Sequence, residues 1–528
     1  MMISDRGTLI LSPSDVSAST ACEFGWLRQA DAKLGRVPRV RRSDAMQERL
    51  AKLGATHEKR VTDALRENAG TYETIGRPAY PVTEAKIAAA ASNTRRHAHG
   101  GVDVISQAVL FDGQTYGIAD FLIKQSDGSY SVWDAKLARS AKTSARLQLA
   151  TYADLLDQAG IARHRTAGLF LGSGKSLEIE LDDLLPEVRA RLTAARQLMT
   201  KHVAQSEVVA WESGGLSICG KCEHCAVEIE ANDDVLLVHN LRRRDREHLR
   251  ASGITTVQEL ASSNSTVEGL KEERWRTLRA QAAIQTRQVV HPDGSVTVAY
   301  EVFDPTPILN LPSPEAGDIF FDFEGDTMFE GDDSDLGIEY LWGLLELDGT
   351  STGSFTPLWA DDRATERDAL VTFFDHLSHR RIDHPDMHVY HYASYEISAL
   401  RRLCQRHAVG AAELEGLVAD GVFVDLNPVV TKSVRISQRS YSIKMLEPLY
   451  MSDEERDADG VTSAVASITG YADYCTARDS GDSTKALALQ GQLIAYNRYD
   501  CLSTWRLRDW LLSVVSVNAR AATLSDNP

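Results

Sequence analysis

The chain has 528 residues, 43% hydrophobic and 25% charged, the composition of folded globular domains and not of a disordered, collagenous or coiled-coil chain. Fifty-seven basic residues against seventy-five acidic ones leave a formal charge of −18. That argues against nucleic-acid binding through a global positive field; local basic patches, or cations bridging carboxylates to phosphate, would be needed. At roughly 100–200 residues per domain, the length predicts about three or four folding units. No apolar run reaches the roughly 18–20 residues of a membrane-spanning helix. The start, MMISDRGTLILSPSD, lacks the long apolar core of a signal peptide, so a cytoplasmic protein without a membrane partner is expected.

In chain order, AMQERLAKLGATHEKRVTDALRE carries apolar residues at helical spacing. YGIADFLI (116–123) and YSVWDAKL (130–137) read as two strands joined by the turn QSDGS. ARLQLATYADLLDQAG (145–160) reads as a helix stopped by Gly160; a strand in AGLFLGSG and a helix in EVRARLTAARQLMTKHVA follow. Together these describe an α/β domain over residues 1–228. Residues 229–289 look helical, and LRRRDREHLRASGITTVQELA resembles a helix–hairpin–helix, whose tight turn can present backbone N–H groups to phosphate; a small connecting helical bundle is the alternative. Five prolines in residues 290–316 mark a linker or β-ribbon. A second α/β unit is expected over 317–515, followed by a loose tail, 516–528.

Asp120 lies in the first strand of the 116–137 hairpin, and Asp134 and Lys136 lie at i, i+2 in the second, on one face. Two carboxylates and a lysine converging there can hold Mg²⁺ or Mn²⁺. The cation would lower the pKa of a water, with Lys136 orienting it or stabilising charge on phosphate. Gln148 and Tyr152, at i, i+4, share a helix face and could contact the substrate backbone. His57 could add a nitrogen ligand. An ion pair between Asp134 and Lys136 is the plainer alternative, but Asp120 sits inside apolar IADFL, where an unpaired carboxylate is costly.

The ordered series H57-E, GIAD120F, WD134AK136 and Q148LATY152 resembles the RecB-like PD-(D/E)xK nucleases, closest to the branch that includes the CRISPR-adaptation exonucleases, over about residues 8–226. The resemblance implies metal-dependent DNA cleavage, with His57, Asp120 and Asp134 as ligands and Lys136 catalytic.

Of seven cysteines, Cys404, Cys475 and Cys501 are scattered, whereas Cys219, Cys222 and Cys225 form C-x2-C-x2-C, with Cys22 far upstream. An odd number in a cytosolic chain argues against a disulfide framework. Four thiolates suit Zn²⁺ or a [4Fe–4S] cluster. One distant cysteine plus a triplet resembles the iron–sulfur RecB-like nucleases, where the cluster is structural, and that reading is preferred here. The short gap before Cys225 departs from their pattern and leaves zinc open.

DIFFDFEG places Asp322 and Glu324 at i, i+2 on an apolar strand, where two like charges repel unless a cation neutralises them. Tyr496 and Asp500 share a helix face at i, i+4; Glu396 opens a helix, and Asp425 lies on a strand. The acidic run Asp322–Asp335 has seven acids and no base, and most of it reads as a solvated loop. The D-x-E strand and Y-x3-D helix resemble the RNase H-like 3′–5′ exonucleases of the DEDDy type, over about 317–512. This implies two metals held by Asp322, Glu324, Glu396 and Asp500, with Tyr496 orienting the attacking water. An aspartate is usual where Glu396 stands, and Asp425 is the alternative fourth ligand. SYSIKMLEPLY resembles the segment that follows that strand, with Lys444 near phosphate.

Basic clusters at Arg39, Arg41 and Arg42, and at Arg242, Arg243 and Arg244, are candidate DNA tracks, with Trp275 as a stacking platform. The whole reading is an α/β multidomain nuclease acting on DNA, with RNA not excluded. It carries a RecB-like domain, a helix–hairpin–helix-like connector and an RNase H-like domain. Many such proteins continue into a helicase; this chain has no G-x4-GK-[ST] motif, and three readings stay open: a free-standing nuclease, the partner of a helicase, or a piece of a longer protein. The alternative is a nucleic-acid-binding adaptor with one or both sites silent.

Overall fold

The computed structural model describes residues 1–4, 7–39, 45–138, 140–211, 214–331, 336–452, 454 and 460–525. The chain divides into two units, Met1–Ala231 and Asn232–Pro528. Among the described residues no helix is long and apolar enough to cross a membrane.

The first unit is built on a six-stranded mixed sheet in chain order: Tyr72–Thr74, Val104–Phe111, Tyr116–Lys124, Tyr130–Lys136, Thr166–Leu171 and Ser176–Glu180. The two parallel pairings, first with second and fourth with fifth, need crossovers. The helices Glu84–His99 and Thr143–Ala159 supply them. The second of these buries Leu147, Leu149, Leu155 and Leu156 with Val109, Leu122, Val132 and Leu169 of the sheet. It ends where Gly160 adopts a left-handed conformation, φ 70°, which glycine reaches without steric penalty. The hairpin 116–136 forms as its alternation predicts. The strand Ser176–Glu180, which pairs with Thr166–Leu171, was not anticipated.

The second unit holds a five-stranded sheet in the order Ser354–Trp359, Leu336–Glu346, Ile319–Glu330, Val389–His391, Phe423–Asp425. The first three strands are an antiparallel meander and the last two continue in parallel. Period-2 alternation splits the central strand. Ile319, Phe321 and Phe323 pack on Phe373, Leu400 and Leu403, whereas Phe320 packs on Leu502, Trp505 and Leu507 of the long helix Ser483–Ser525. Asp322 and Glu324 therefore share the face that this helix covers. The strand runs on to Glu330, and Asp326 is buried, so this stretch is not the solvated loop expected; residues 332–335 lie outside the described residues.

The helices Arg243–Ala251, Val257–Ser262 and Glu272–Gln285 belong to this second unit. Gln281 donates to the carbonyl of Ile436 at 3.0 Å, on a strand that pairs with Tyr300–Val302. Val289–Val290 and Val296–Thr297 form a small ribbon.

Candidate active sites

In the first unit the last paired residues of the hairpin are Phe121 and Trp133; one step further along both strands, Asp120 lies across from Asp134. The Ala135 N–H donates to Asp120 Oδ2 at 2.9 Å, and Lys136 Nζ is 2.7 Å from Asp134 Oδ2. Asp134 is only 1% exposed. Burial, then the charge and hydrogen bond of Asp134, push the Asp120 carboxyl up to about 8. Burial alone would pull the Lys136 ammonium down, but Asp134, and behind it Asp120 and Glu58, more than offset this and raise it. Two facing carboxylates that resist joint ionisation fit a hard divalent cation. A lysine that stays protonated fits a donor or electrostatic stabiliser and not a base. Gln148 Nε2 donates to the Tyr152 hydroxyl at 3.0 Å, fixing the pair on one helix face.

The structure does not bring His57 into this group. Its Nε2 donates to the Phe170 carbonyl at 3.0 Å, and the ring is buried, so that nitrogen holds the helix Ala45–Asn68 to the sheet. The neighbouring Glu58, which the sequence reading passed over, is the residue whose charge reaches both Asp120 and Lys136. Its Oε1 accepts from Gln107 Nε2 at 2.6 Å, and Gln107 Oε1 accepts from Arg77. Gln107 has φ 51°, a left-handed conformation costing a non-glycine residue on the order of 1–3 kcal/mol and common at functional sites.

In the second unit one oxygen each from Asp322, Glu324 and Asp500 lie within 4.8 Å of one another. Asn497 Nδ2 donates to Asp322 Oδ2 at 2.8 Å, and the Ser467 hydroxyl donates to Glu324 Oε2 at 2.5 Å. The long helix can approach this closely because Gly343, which pairs with Asp322, has no side chain; a Cβ there would lie 1.9 Å from Asn497 Oδ1. Burial, then the charges of Asp500, Glu324 and Glu396, raise Asp322 well above the usual carboxylate range; burial and Asp500 push Glu324 up to about 8. The set fits a cation for the same reason as the first, and more closely. Tyr496 is buried on the same helix, and its hydroxyl oxygen accepts from Lys444 Nζ at 2.8 Å.

Glu396 stands apart from the three grouped carboxylates. It is buried and its Oε2 lies 3.2 Å from His391 Nδ1, although its charge reaches Asp322. Asp425 is a capping residue: its Oδ1 accepts from the N–H groups of Ala393 and Asn427 at 2.8 and 2.9 Å. That explains an aspartate at this position without a cation.

The four cysteine sulfurs converge. Cys22 is 3.5 Å from Cys225 and 3.9 Å from Cys222, Cys219 is 3.9 Å from Cys225, and all four lie within 4.8 Å of one another. Backbone N–H groups of Gly25 and Cys219 donate to Cys22, and that of Cys222 donates to Cys219. The hydrogen bond with Cys225 and these amides pull Cys22 down to about 5, whereas burial pushes Cys222 up to about 11. A tetrahedron with metal–sulfur bonds of about 2.3 Å has edges of about 3.8 Å. The sulfur separations of 3.5–3.9 Å lie near that edge, and four thiolates so placed can hold a metal.

The basic clusters fare unevenly. Arg242, Arg243 and Arg244 are exposed at the start of their helix, and Arg39 is exposed; Arg41 and Arg42 lie outside the described residues. Trp275 is not an open platform: it is 7% exposed, with Arg279 over its ring. In the hairpin-like turn, Glu259 Oε2 accepts from the N–H groups of both Thr255 and Thr256. These two amides are thus already occupied by a carboxylate.

Residues 10–229 match the family model of the PD-(D/E)XK nuclease superfamily, and residues 319–512 match that of the RNase_H superfamily. No curated protein matches the chain significantly. Nucleases of both superfamilies generally use divalent metals, and their substrates are nucleic acids. With its two sheets matching these superfamilies in turn, the chain joins a PD-(D/E)XK nuclease domain to a C-terminal RNase H-like domain.

Proposed function

We propose that the chain is a metal-dependent DNA nuclease with two hydrolytic sites, acting in repair, recombination or defence. The observation that carries the reading is the trio Asp322, Glu324 and Asp500, whose oxygens converge within 4.8 Å although burial and repulsion oppose the charges of Asp322 and Glu324. A divalent cation, Mg²⁺ or Mn²⁺, would relieve that repulsion, activate water and neutralise phosphate charge. In the C-terminal site, Asn497 and Ser467 orient the ligating carboxylates. The Tyr496 hydroxyl, held by Lys444 Nζ beside the trio, is assigned to positioning the incoming water for 3′–5′ trimming. In the N-terminal site, Asp120 and Asp134 are the ligands, Lys136 keeps its proton and stabilises charge on phosphate, and Gln148 and Tyr152 contact the strand.

The cysteine site is structural, and its sulfur spacing supports zinc over the iron–sulfur cluster first preferred. An adaptor with a silent C-terminal site is the second reading. It is favoured by Glu396, which bonds to His391 instead of joining the trio.

The test is cleavage of end-labelled single- and double-stranded DNA and RNA by the full chain with Mn²⁺ or Mg²⁺, compared with Asp134→Ala, Asp322→Ala and the double variant. Two sites predict that each single variant keeps one product pattern and the double variant keeps none. A double variant as active as the parent overturns the assignment. A parent that cleaves only through Asp134 leaves the C-terminal unit as a binding module, and restored trimming in Glu396→Asp would place Glu396 in the site.

A further inference from the structure

We propose that Arg77, held in place by Gln107, is a contact for the sugar–phosphate backbone of the nucleic acid entering the N-terminal site. The inference rests on the nucleolytic reading of that site. Ser106 pairs with Phe121 and Ala108 with Ala119, so Gln107 lies across from Asp120, and Asp120 lies across from Asp134. Gln107, Asp120 and Asp134 therefore form one row across three strands.

Gln107 bonds through both ends of its amide to two neighbours. Its Nε2 donates to Glu58 Oε1 at 2.6 Å, and its Oε1 accepts from Arg77 Nε and Nη2 at 2.8 and 2.6 Å. Its left-handed backbone, φ 51°, is what a strand would avoid unless the side chain had to be aimed there. Tyr152 lies within reach of the charges of Asp134, Asp120 and Arg77 together.

The charge balance of the row gives Arg77 its role. Lys136 is already paired with Asp134. Arg77 is exposed and is anchored through a neutral amide oxygen, so its positive charge is not cancelled by its anchor. A guanidinium fixed on one edge presents its remaining N–H groups in a plane suited to phosphate oxygens. In a chain of formal charge −18, such a cation beside a carboxylate pair gives an incoming phosphodiester strand a positive contact where it must approach two acids. Gln107 is then a positioning residue: it holds Arg77 on the strand side and Glu58 on the carboxylate side.

The test uses the full chain carrying Asp322→Ala, so that only the N-terminal site cuts. Binding of a fluorescent single-stranded oligonucleotide is measured by anisotropy in Ca²⁺ over a range of salt, and cleavage is measured in Mn²⁺. Arg77→Ala is expected to raise KM and Kd about tenfold, roughly the loss of one charge-assisted contact, with kcat within about threefold. It should also reduce the slope of log Kd against log salt by about 0.7, the share of one single-strand phosphate. Arg77→Lys should keep that slope but recover only part of the affinity, because an ammonium cannot hold both bonds to Gln107. Gln107→Ala should raise KM without lowering kcat in proportion. A parent that cleaves, with Arg77→Ala folded and unchanged in KM, Kd and salt slope, overturns the proposal alone. A parent that binds DNA but does not cut overturns the nuclease reading, and the Kd of Arg77→Ala still decides the contact; a parent that binds no DNA overturns both.

Discussion

Replacing Asp120 by Asn should stabilise the metal-free protein, and the pH dependence of the gain follows from the facing carboxylates. Burial and Asp134 raise the Asp120 carboxyl from 3.8 to about 8 in the folded chain, whereas the unfolded chain titrates near the ordinary value. Between those two values the unfolded chain has released a proton that the folded chain keeps. Folding stability therefore falls as pH rises through this window and levels off above about 8. At about 1.4 kcal/mol per pH unit the ceiling is roughly 6 kcal/mol, and the partly solvated edge of Asp120 reduces it to about 3. Asn keeps the shape and removes the titration. Metal-free Asp120→Asn should be about 3 kcal/mol more stable than wild type near pH 8 and less than ~1 kcal/mol more stable near pH 5. For a unit of this size that is a rise of roughly 6–12 °C in Tm near pH 8. Calorimetry of the full chain in EDTA reads the difference, and added Mn²⁺ should then raise wild type but not the variant. An equal shift at both pH values, or no gain near pH 8, would refute the opposition of the two carboxylates.

Lys136→Ala, in an Asp322→Ala background, should lower N-terminal cleavage by at least about 100-fold while leaving the circular-dichroism spectrum unchanged; parental rates would sink its role. Tyr496→Phe should slow 3′ trimming by about 10–100-fold with Mn²⁺ affinity nearly intact, whereas Asp322→Ala should lose both, as read by gel and calorimetric titration. Metal analysis of protein purified without oxygen should find about one zinc per chain; four irons with sulfide would restore the iron–sulfur cluster. Gly25→Ala should weaken that metal and lower Tm, because a Cβ at Gly25 would lie 2.9 Å from Cys222 Sγ; unchanged metal content would show that the loop can move aside.

What was legible in the sequence were residues bound to their partners by local periodicity. Asp134 and Lys136, Asp322 and Glu324, and Tyr496 and Asp500 are each fixed to one face by strand or helix geometry, and the structure keeps them there. The C-x2-C-x2-C triplet was legible for the same reason, and the structure brings its sulfurs to Cys22; spacing along the chain leaves the choice between zinc and an iron–sulfur cluster open. His57 was read in preference to Glu58 because residue type and motif pointed to it. Which of two adjacent helical residues faces the carboxylates depends on how the helix seats on the sheet, and here the Phe170 carbonyl takes His57. Trp275 failed as a platform because a basic neighbourhood in the sequence does not say which side of the helix is buried.

The residues that were passed over share one property: their partners are far away in sequence. Asn497 reaches Asp322, Ser467 reaches Glu324, and Arg77 reaches Gln107. None carries a pattern of its own. Each becomes necessary only once buried carboxylates have been forced together, because burying like charges requires donors to hold them and space in which to hold them. Gly343 shows the same logic in reverse: its missing side chain is the space into which Asn497 fits beside Asp322. The paired carboxylates can thus be read from period-2 and period-4 spacing, while the groups that aim them follow from electrostatic cost. The next acids to examine in such a chain are those for which the fold supplies a donor from across the sheet, as it does for Glu58 through Gln107.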